Sequence, residues 1–434
     1  MLNTLKNKRA KHLLRRISIL LGSSYIIISS TCNPIYSKST ISNNPKEVVD
    51  QVWQMVYRDY LNANGKYNVE NWKTLRMKLL SKNYSDNKEA YDAIRGMLSS
   101  LEDPYTRFLD PREFKELRID TSGELSGVGI QLSIDKVTKH LIVVSPIEGS
   151  PASRAGVQPK DIIKFINNKS TKGYAIEQAV KLIRGKKGTK VRLGLSRNGN
   201  LINIELIRDR IELKSVLSQV NINSEGTQIG YIRLKQFNAN ASKEMKQAIQ
   251  KLESKKVKGY VLDLRGNPGG LLEASVDVAR QWLNKGTIVV TKTKRGITNS
   301  RKATGNALTK SPLVVLVNEG SASASEILSG AIQDNKRGIL IGNKTFGKGL
   351  VQSVRRLVDG SGMTLTIAKY LTPKGKDIHN NGIYPDIEID MPAEEKLNLS
   401  ILDLGSSKDT QYVVAETTLL KAIDMSNQKT SFKP

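Results

Sequence analysis

At 434 residues, 38% hydrophobic and only 5% aromatic, the chain is too long for one ordinary core and has the composition of a soluble protein of two or three domains. A single cysteine, Cys32, excludes an internal disulfide, and three scattered histidines, His12, His140 and His379, exclude a clustered structural zinc site. The net charge of +27 comes from dispersed Lys and Arg without interleaved aromatics, the pattern of a solvated basic surface drawn to anionic membrane and not of a nucleic-acid-binding face.

Taken in chain order, "KNKRAKHLLRR" precedes "ISILLGSSYIIISST", a basic segment followed by a mostly apolar run. That is the layout of an export signal over residues 1–35, and it is short for a membrane span, which needs about 20 apolar residues. No A-x-A site follows, and Ser29 and Thr31 before Cys32 make a poor lipobox, so removal and retention of the segment both stay open. A polar linker with Pro34 and Pro45 leads into residues 45–118. There Val52, Val56 and Tyr60 share one helical face, and Leu75, Leu79 and Leu80 share another. "SLEDPYTRFLDPREF" reads as a turn and a helix restart. Residues 119–210 change to short strands and turns around one helix, "AIEQAVKLIRG". Residues 211–395 alternate apolar strands ("GYVLDLR", "PLVVLVN", "RGILIG") with predicted helices over 271–284 and 323–334, so a stacked sheet with outer helices is expected. Residues 396–434 hold one amphipathic stretch, "YVVAETTLLKAIDM", and a polar end. The fold class is multidomain α+β.

The chemistry concentrates at "NEGSASASEILSGA". Ser323 and Glu326 have capping-box spacing, so a helix N-cap accounts for one serine and leaves the others unexplained. A nucleophilic serine needs a base. His140 lies in the strand-rich part, His379 lies in the turn-like "DIHNNG", and no G-x-S-x-G elbow is present. The other candidate base is Lys348, between two glycines in "TFGKGLVQ". An ordinary lysine titrates near 10.4, so only about one in 2,500 is neutral at pH 7, and a dry site has to lower that value. Gln352, four residues on, can orient the amine. Gly342–Lys348 also fits the start of a phosphate-binding loop, but Gly349 replaces the required Ser or Thr and a strand-like segment follows. "DLRGNPGG" supplies a loop after a strand whose Gly269 or Gly270 can offer a backbone N–H to an oxyanion.

"DLRGNPGG", "NEGSASASEILSGA" and "TFGKGLVQ", together with "LEDPYTRFLDP", "SPASRAGVQPKDIIKFIN" and "LTPKGKDIHNNGIYPD", resemble in order and spacing the carboxyl-terminal processing proteases. The resemblance covers about residues 45–390. It implies Ser323 as nucleophile, Lys348 as general base, Gln352 as its support, and the N–H groups of Ala324 and Gly269 as oxyanion donors. It also implies a PDZ domain whose Val128, Gly129 and Ile130 hold a substrate's C-terminal carboxylate, and a crotonase-like ββα protease core. Gly266 and Pro268 vary the "DLR" loop, and Asn168 stands where a turn glycine is common. The partners expected are proteins with exposed C-terminal tails; photosynthetic members of the family trim the photosystem II reaction-centre precursor and others act on diverse periplasmic proteins, and the sequence leaves both roles open; no metal or cofactor is implied, and the oligomeric state is open. A non-catalytic PDZ scaffold or holdase is the alternative, and it would have no use for a buried lysine opposite a serine.

Overall fold

The computed structural model describes residues 44–135, 137–296, 298–392, 395 and 403–431. The basic and apolar segment read as an export signal lies outside them. No helix among the described residues is long and apolar enough to cross a membrane.

The first layer is helical: α1 (Pro45–Asp59), α2 (Val69–Ser81) and α3 (Asn87–Ser99). Asn44, Asn68 and Asp86 cap their N-termini with side-chain oxygens, as polar residues just ahead of an apolar-periodic run should. Reciprocal indole bonds dock α1 on α2: Trp53 donates to the Trp72 carbonyl at 2.7 Å, and Trp72 to that of Trp53 at 3.3 Å. Where the sequence reads only a turn, the chain forms a three-residue strand, β1 (Arg107–Leu109). It is followed by α4 (Pro111–Ser122), which opens on a full Asp110–Glu113 capping box and closes on left-handed Gly123.

The strand-rich part contains β2 (Glu124–Gly127), β3 (Ile130–Ile134), β4 (Leu141–Pro146), α5 (Pro151–Arg154), β5 (Ile162–Ile166), β6 (Lys169–Ser170), α6 (Ile176–Ile183), β7 (Lys190–Arg197), β8 (Asn200–Ile207) and β9 (Asp209–Glu212). The sheet order is β3-β4-β5-β7-β8, with β6 on β5, and β2 pairs with β9 as a separate ribbon. Val128, Ile163, Ile183 and Leu193 belong to its own apolar core.

The remaining part is built from β10 (Val216–Ile222), β11 (Gln228–Leu234), α7 (Ala241–Ser254), β12 (Gly259–Asp263), α8 (Leu272–Trp282), β13 (Thr287–Thr293), β14 (Thr298–Lys302), β15 (Leu313–Val317), α9 (Ala324–Asp334), β16 (Ile339–Gly342), β17 (Leu350–Arg356), β18 (Gly362–Leu371), β19 (Ile387–Glu388) and α10 (Thr410–Ser431). One sheet runs β10-β11-β12-β15-β16-β19, parallel from β11 to β19. Its middle strands are apolar without alternation because both faces are covered. Leu313, Val315 and Val317 face the cluster that includes α7, α8 and α9, while Val314 and Leu316 face Tyr412, Ala415 and Leu419 of α10. A second sheet, β1-β18-β13-β14 with β17 also on β18, carries the N-terminal helices on Met363 and Leu365.

Candidate active site

Three loops leave the C-terminal ends of parallel strands β12, β15 and β16, which is where α/β sheets place their ligands. They carry the glycine loop, the serine cluster and the lysine. Asn267, wholly buried, knits the first two: its carbonyl accepts from the Ala322 N–H (3.0 Å) and from the Ser325 hydroxyl (2.9 Å). The Ser321 hydroxyl donates to the Leu264 carbonyl at 2.9 Å. Ser321 and Ser325 are therefore structural pegs.

Ser323 differs. Its backbone is held at φ 55°, ψ −111°, a conformation rare for a residue with a side chain, and its hydroxyl makes no capping hydrogen bond. Glu326 accepts the Ser323 N–H at 2.8 Å, so the carboxylate half of the expected box exists while the hydroxyl is left over.

The buried Glu326 carboxylate does more than cap. One oxygen accepts from the Ser323 and Lys348 N–H groups at 2.8 and 2.9 Å, and the other from the Thr345 hydroxyl and the Gly347 N–H at 2.6 and 2.7 Å. The Tyr370 hydroxyl lies against the carbonyls of the same two residues, 2.9 Å from Ser323 and 2.5 Å from Lys348. Two side chains thus bind the backbones of the serine and the lysine together, one by N–H and one by C=O. Burial pushes the Tyr370 hydroxyl well above the usual phenol range, so it stays a donor.

Lys348 is half-buried, with its amine 4.6 Å from the centre of the Tyr105 ring. Its pKa falls below the ordinary lysine value, chiefly because burial disfavours the cation and also because Arg107 is near; Asp103 and Glu326 pull the other way. The flanking glycines are close-approach positions. A Cβ on Gly347 would lie 2.9 Å from the Gly382 nitrogen, and one on Gly349 2.8 Å from that of His379. The "DIHNNG" turn thus packs on the lysine loop.

Ser323, Ala324, Lys348 and Gln352 line one cleft of about 250 Å³ with Pro268, Gly270 and Tyr105. Among the described residues no histidine lines it. The Gln352 amide reaches Thr366 Oγ1 at 3.5 Å, and among the described residues no hydrogen bond joins it to Lys348. Gly269 abuts Ser323 and Ala324, where an added Cβ would lie 2.8 Å from the serine Cβ. Its N–H donates to Asn267 Oδ1 at 2.9 Å. Among the described residues the N–H groups of Ala324 and Gly270 have no hydrogen-bond acceptor. Val128 and Gly129, between β2 and β3, and Ile130 at the start of β3 sit apart from the cleft. The Gly129 carbonyl accepts from Ile147 N–H and Ser150 Oγ, while the Val128 and Gly129 N–H groups stay unclaimed among the described residues. A Cβ on Gly129, at φ +75°, would collide with Ser150 at 2.3 Å.

Beneath the glycine loop lies a group that sequence reading missed. Arg265 is forked between two carboxylates, Nη2 to Asp263 at 2.7 Å and Nη2 to Asp409 at 2.6 Å, with Nη1 on Asp409 and Gln411. The Tyr231 hydroxyl completes Asp263 at 2.7 Å. Burial alone would push the Asp263 carboxyl up, but Arg265 overrides it and holds the group below the usual range. Tyr105, Arg107, Tyr370 and Asp409 were missed as well, because each reaches the site from a distant segment. Glu326 carried a signal in its capping-box spacing, and Tyr105 and Arg107 lay in the "LEDPYTRFLDP" motif without an assigned role.

No cluster of metal-ligating side chains occurs among the described residues. Family models match residues 228–389 as peptidase family S41 and residues 116–196 as a PDZ domain. The carboxyl-terminal-processing protease of Synechocystis sp. is 44% identical over 383 residues, 88% of this chain and 88% of that protein. The chloroplastic carboxyl-terminal-processing peptidase 2 of Arabidopsis thaliana is 37% identical, over 86% of this chain and 74% of its own. A solved photosystem II D1 C-terminal processing protease aligns with TM-score 0.52 and 37% identity, over 80% of this chain and 94% of that one.

Proposed function

The chain belongs to the carboxyl-terminal-processing proteases, serine-type peptidases of family S41, and from that premise we propose that it cuts exported proteins near their C-termini with a Ser323–Lys348 dyad. The observation carrying this reading is the half-buried, histidine-free cleft in which Lys348, its pKa lowered by burial, shares walls with a serine whose hydroxyl caps nothing. The neutral amine takes the Ser323 hydroxyl proton as the oxygen attacks the scissile carbonyl carbon. The Ala324 N–H and one glycine N–H of the Asn267–Gly270 loop receive the resulting oxyanion. Gly269 serves if it leaves Asn267, while Gly270 is already unengaged. The C–N bond then breaks, the leaving amine takes the proton from the Lys348 ammonium, and water releases the acyl group by the same steps in reverse. Gln352, on a strand facing the cleft, steers the amine in the substrate complex.

The unclaimed N–H groups of Val128 and Gly129 receive the tail's terminal carboxylate. The substrate class is proteins with exposed tails. Among them is the photosystem II reaction-centre precursor, which the name of the solved relative and the cyanobacterial and chloroplastic sources of the others support. The compartment is then a thylakoid lumen or periplasm, reached through the N-terminal segment, with the basic surface resting near anionic membrane. The decisive test compares Ser323→Ala, Lys348→Arg and wild type on one tail peptide. Wild type should cut it and both variants should not, because a guanidinium stays protonated at any workable pH. Retained cleavage by Lys348→Arg would remove lysine as the base. Mass spectrometry of precursor tails in cells lacking the protein should find them uncut.

A further inference from the structure

A second cavity, about 770 Å³, runs between α4, the β2 ribbon and the end of β17. Thr121 and Leu271 line both it and the catalytic cleft, so the two adjoin. At its other end it is lined by Ser126, two residues before Val128 of the loop assigned to the substrate carboxylate. An extended chain held at that loop and cut at Ser323 has a ready path along it.

The charge of this trough is one-sided. Lys115, Arg118, Lys187, Arg210 and Arg356 line it, against one acid, Glu124. Glu124 pairs with Arg210, and Lys187 pairs with Asp209 at 2.8 Å. Lys115, Arg118 and Arg356 are exposed and make no ion pair among the described residues. The acids of α4 itself, Glu113, Glu116 and Asp120, do not line the trough; Glu113 pairs with Arg95 at 3.4 Å, and Asp120 interacts with Arg184. The floor is apolar, from Phe114, Leu125 and Leu271.

We propose that this trough is a specificity subsite: it binds the part of the substrate between the scissile bond and the terminus, and selects tails with acidic side chains there. The assignment rests on the processing function proposed above. An apolar floor under three unpaired cations suits an extended peptide that alternates apolar and carboxylate side chains, and such rim charges act chiefly on encounter and selectivity.

The test uses the full chain and two peptides with the same scissile sequence and the same free C-terminus, one carrying two aspartates in the intervening stretch and the other asparagines. Wild type should favour the aspartate peptide in kcat/KM by about three- to tenfold at low salt, shrinking below about twofold near 0.5 M NaCl. A Lys115→Glu/Arg118→Glu/Arg356→Glu variant should bring that ratio to about one or invert it. A control reversing three exposed lysines of another face, Lys246, Lys251 and Lys255, should keep it. The same ratios are read as binding of fluorescein-labelled peptides to the Ser323→Ala background, which needs no catalysis. Absence of cleavage with the binding preference intact would sink the protease reading and leave the subsite standing. Equal handling of the two peptides by wild type would overturn the subsite, as would a preference that survives the triple reversal. A preference lost on amidating the C-terminus would assign the trough to the terminal carboxylate and also overturn it.

Discussion

Ser321, Ser323 and Ser325 alternate with alanine, but the outer two are tied to the Leu264 and Asn267 carbonyls while the middle one faces the cleft. Ser321→Ala or Ser325→Ala should each cost about 1 kcal/mol of stability and leave cleavage in place, as urea midpoints and turnover of a tail peptide will read. The double tether predicts a sharper loss elsewhere. Tyr370→Phe removes the only O–H among the described residues that lies against both carbonyls, and Glu326→Gln puts an amide NH₂ against N–H donors. Both should lower kcat, Glu326→Gln by about 100-fold or more, with KM nearly unchanged, because they displace the proposed dyad and not the substrate. Lys348 gives a sign that can be checked without substrate. Its folded pKa lies below 10.5, so the unfolded chain binds more protons, and the folded state is penalised at pH values below both. Lys348→Met should therefore raise stability at neutral pH, with the gain shrinking as pH rises toward 10.5; a gain independent of pH would contradict a lowered lysine pKa. That Ser323 and Lys348 line one cleft was legible because each sits in a local motif of small residues. Tyr105 and Tyr370 were not, since an aromatic says nothing in sequence about which distant loop it will cover.

Among elements, the parallel strands announced themselves as unbroken apolar runs, since a sheet covered on both faces has no polar positions to alternate. Strand β1 gave no such sign. Three residues are too few for any period, and its pairing partner in β18 lies more than 250 residues away. Yet β1 brings Tyr105 and Arg107 to the lysine, so the "LEDPYTRFLDP" motif was recognised without its reason. The role of α10 was equally hidden. Its apolar face was readable, but Asp409, just ahead of it, matters only through Arg265. Asp409→Ala leaves a buried guanidinium half-partnered and should cost about 3–5 kcal/mol in urea unfolding, and Asp409→Asn less.

At the scale of the molecule, the loop proposed for recognition and the cleft proposed for chemistry belong to different cores, the strand-rich domain and the two-sheet body, each with its own apolar cluster. Affinity for a tail should therefore survive Ser323→Ala, and amidating the peptide's C-terminus should weaken binding to that variant without any change at the cleft. Equal affinity for acid and amide peptides, measured by fluorescence anisotropy, would argue against carboxylate capture at Val128–Ile130. The Arg265–Asp409 contact has a further consequence, in time. Its partners are separated by 144 residues, so at about 5–20 residues per second a ribosome makes the second roughly 7–30 s after the first. Throughout that interval Ser323 and Lys348 come into existence on a chain whose glycine loop lacks its last anchor. The residue that closes the Arg265 fork is thus among the last the chain supplies, long after the glycine loop it underlies.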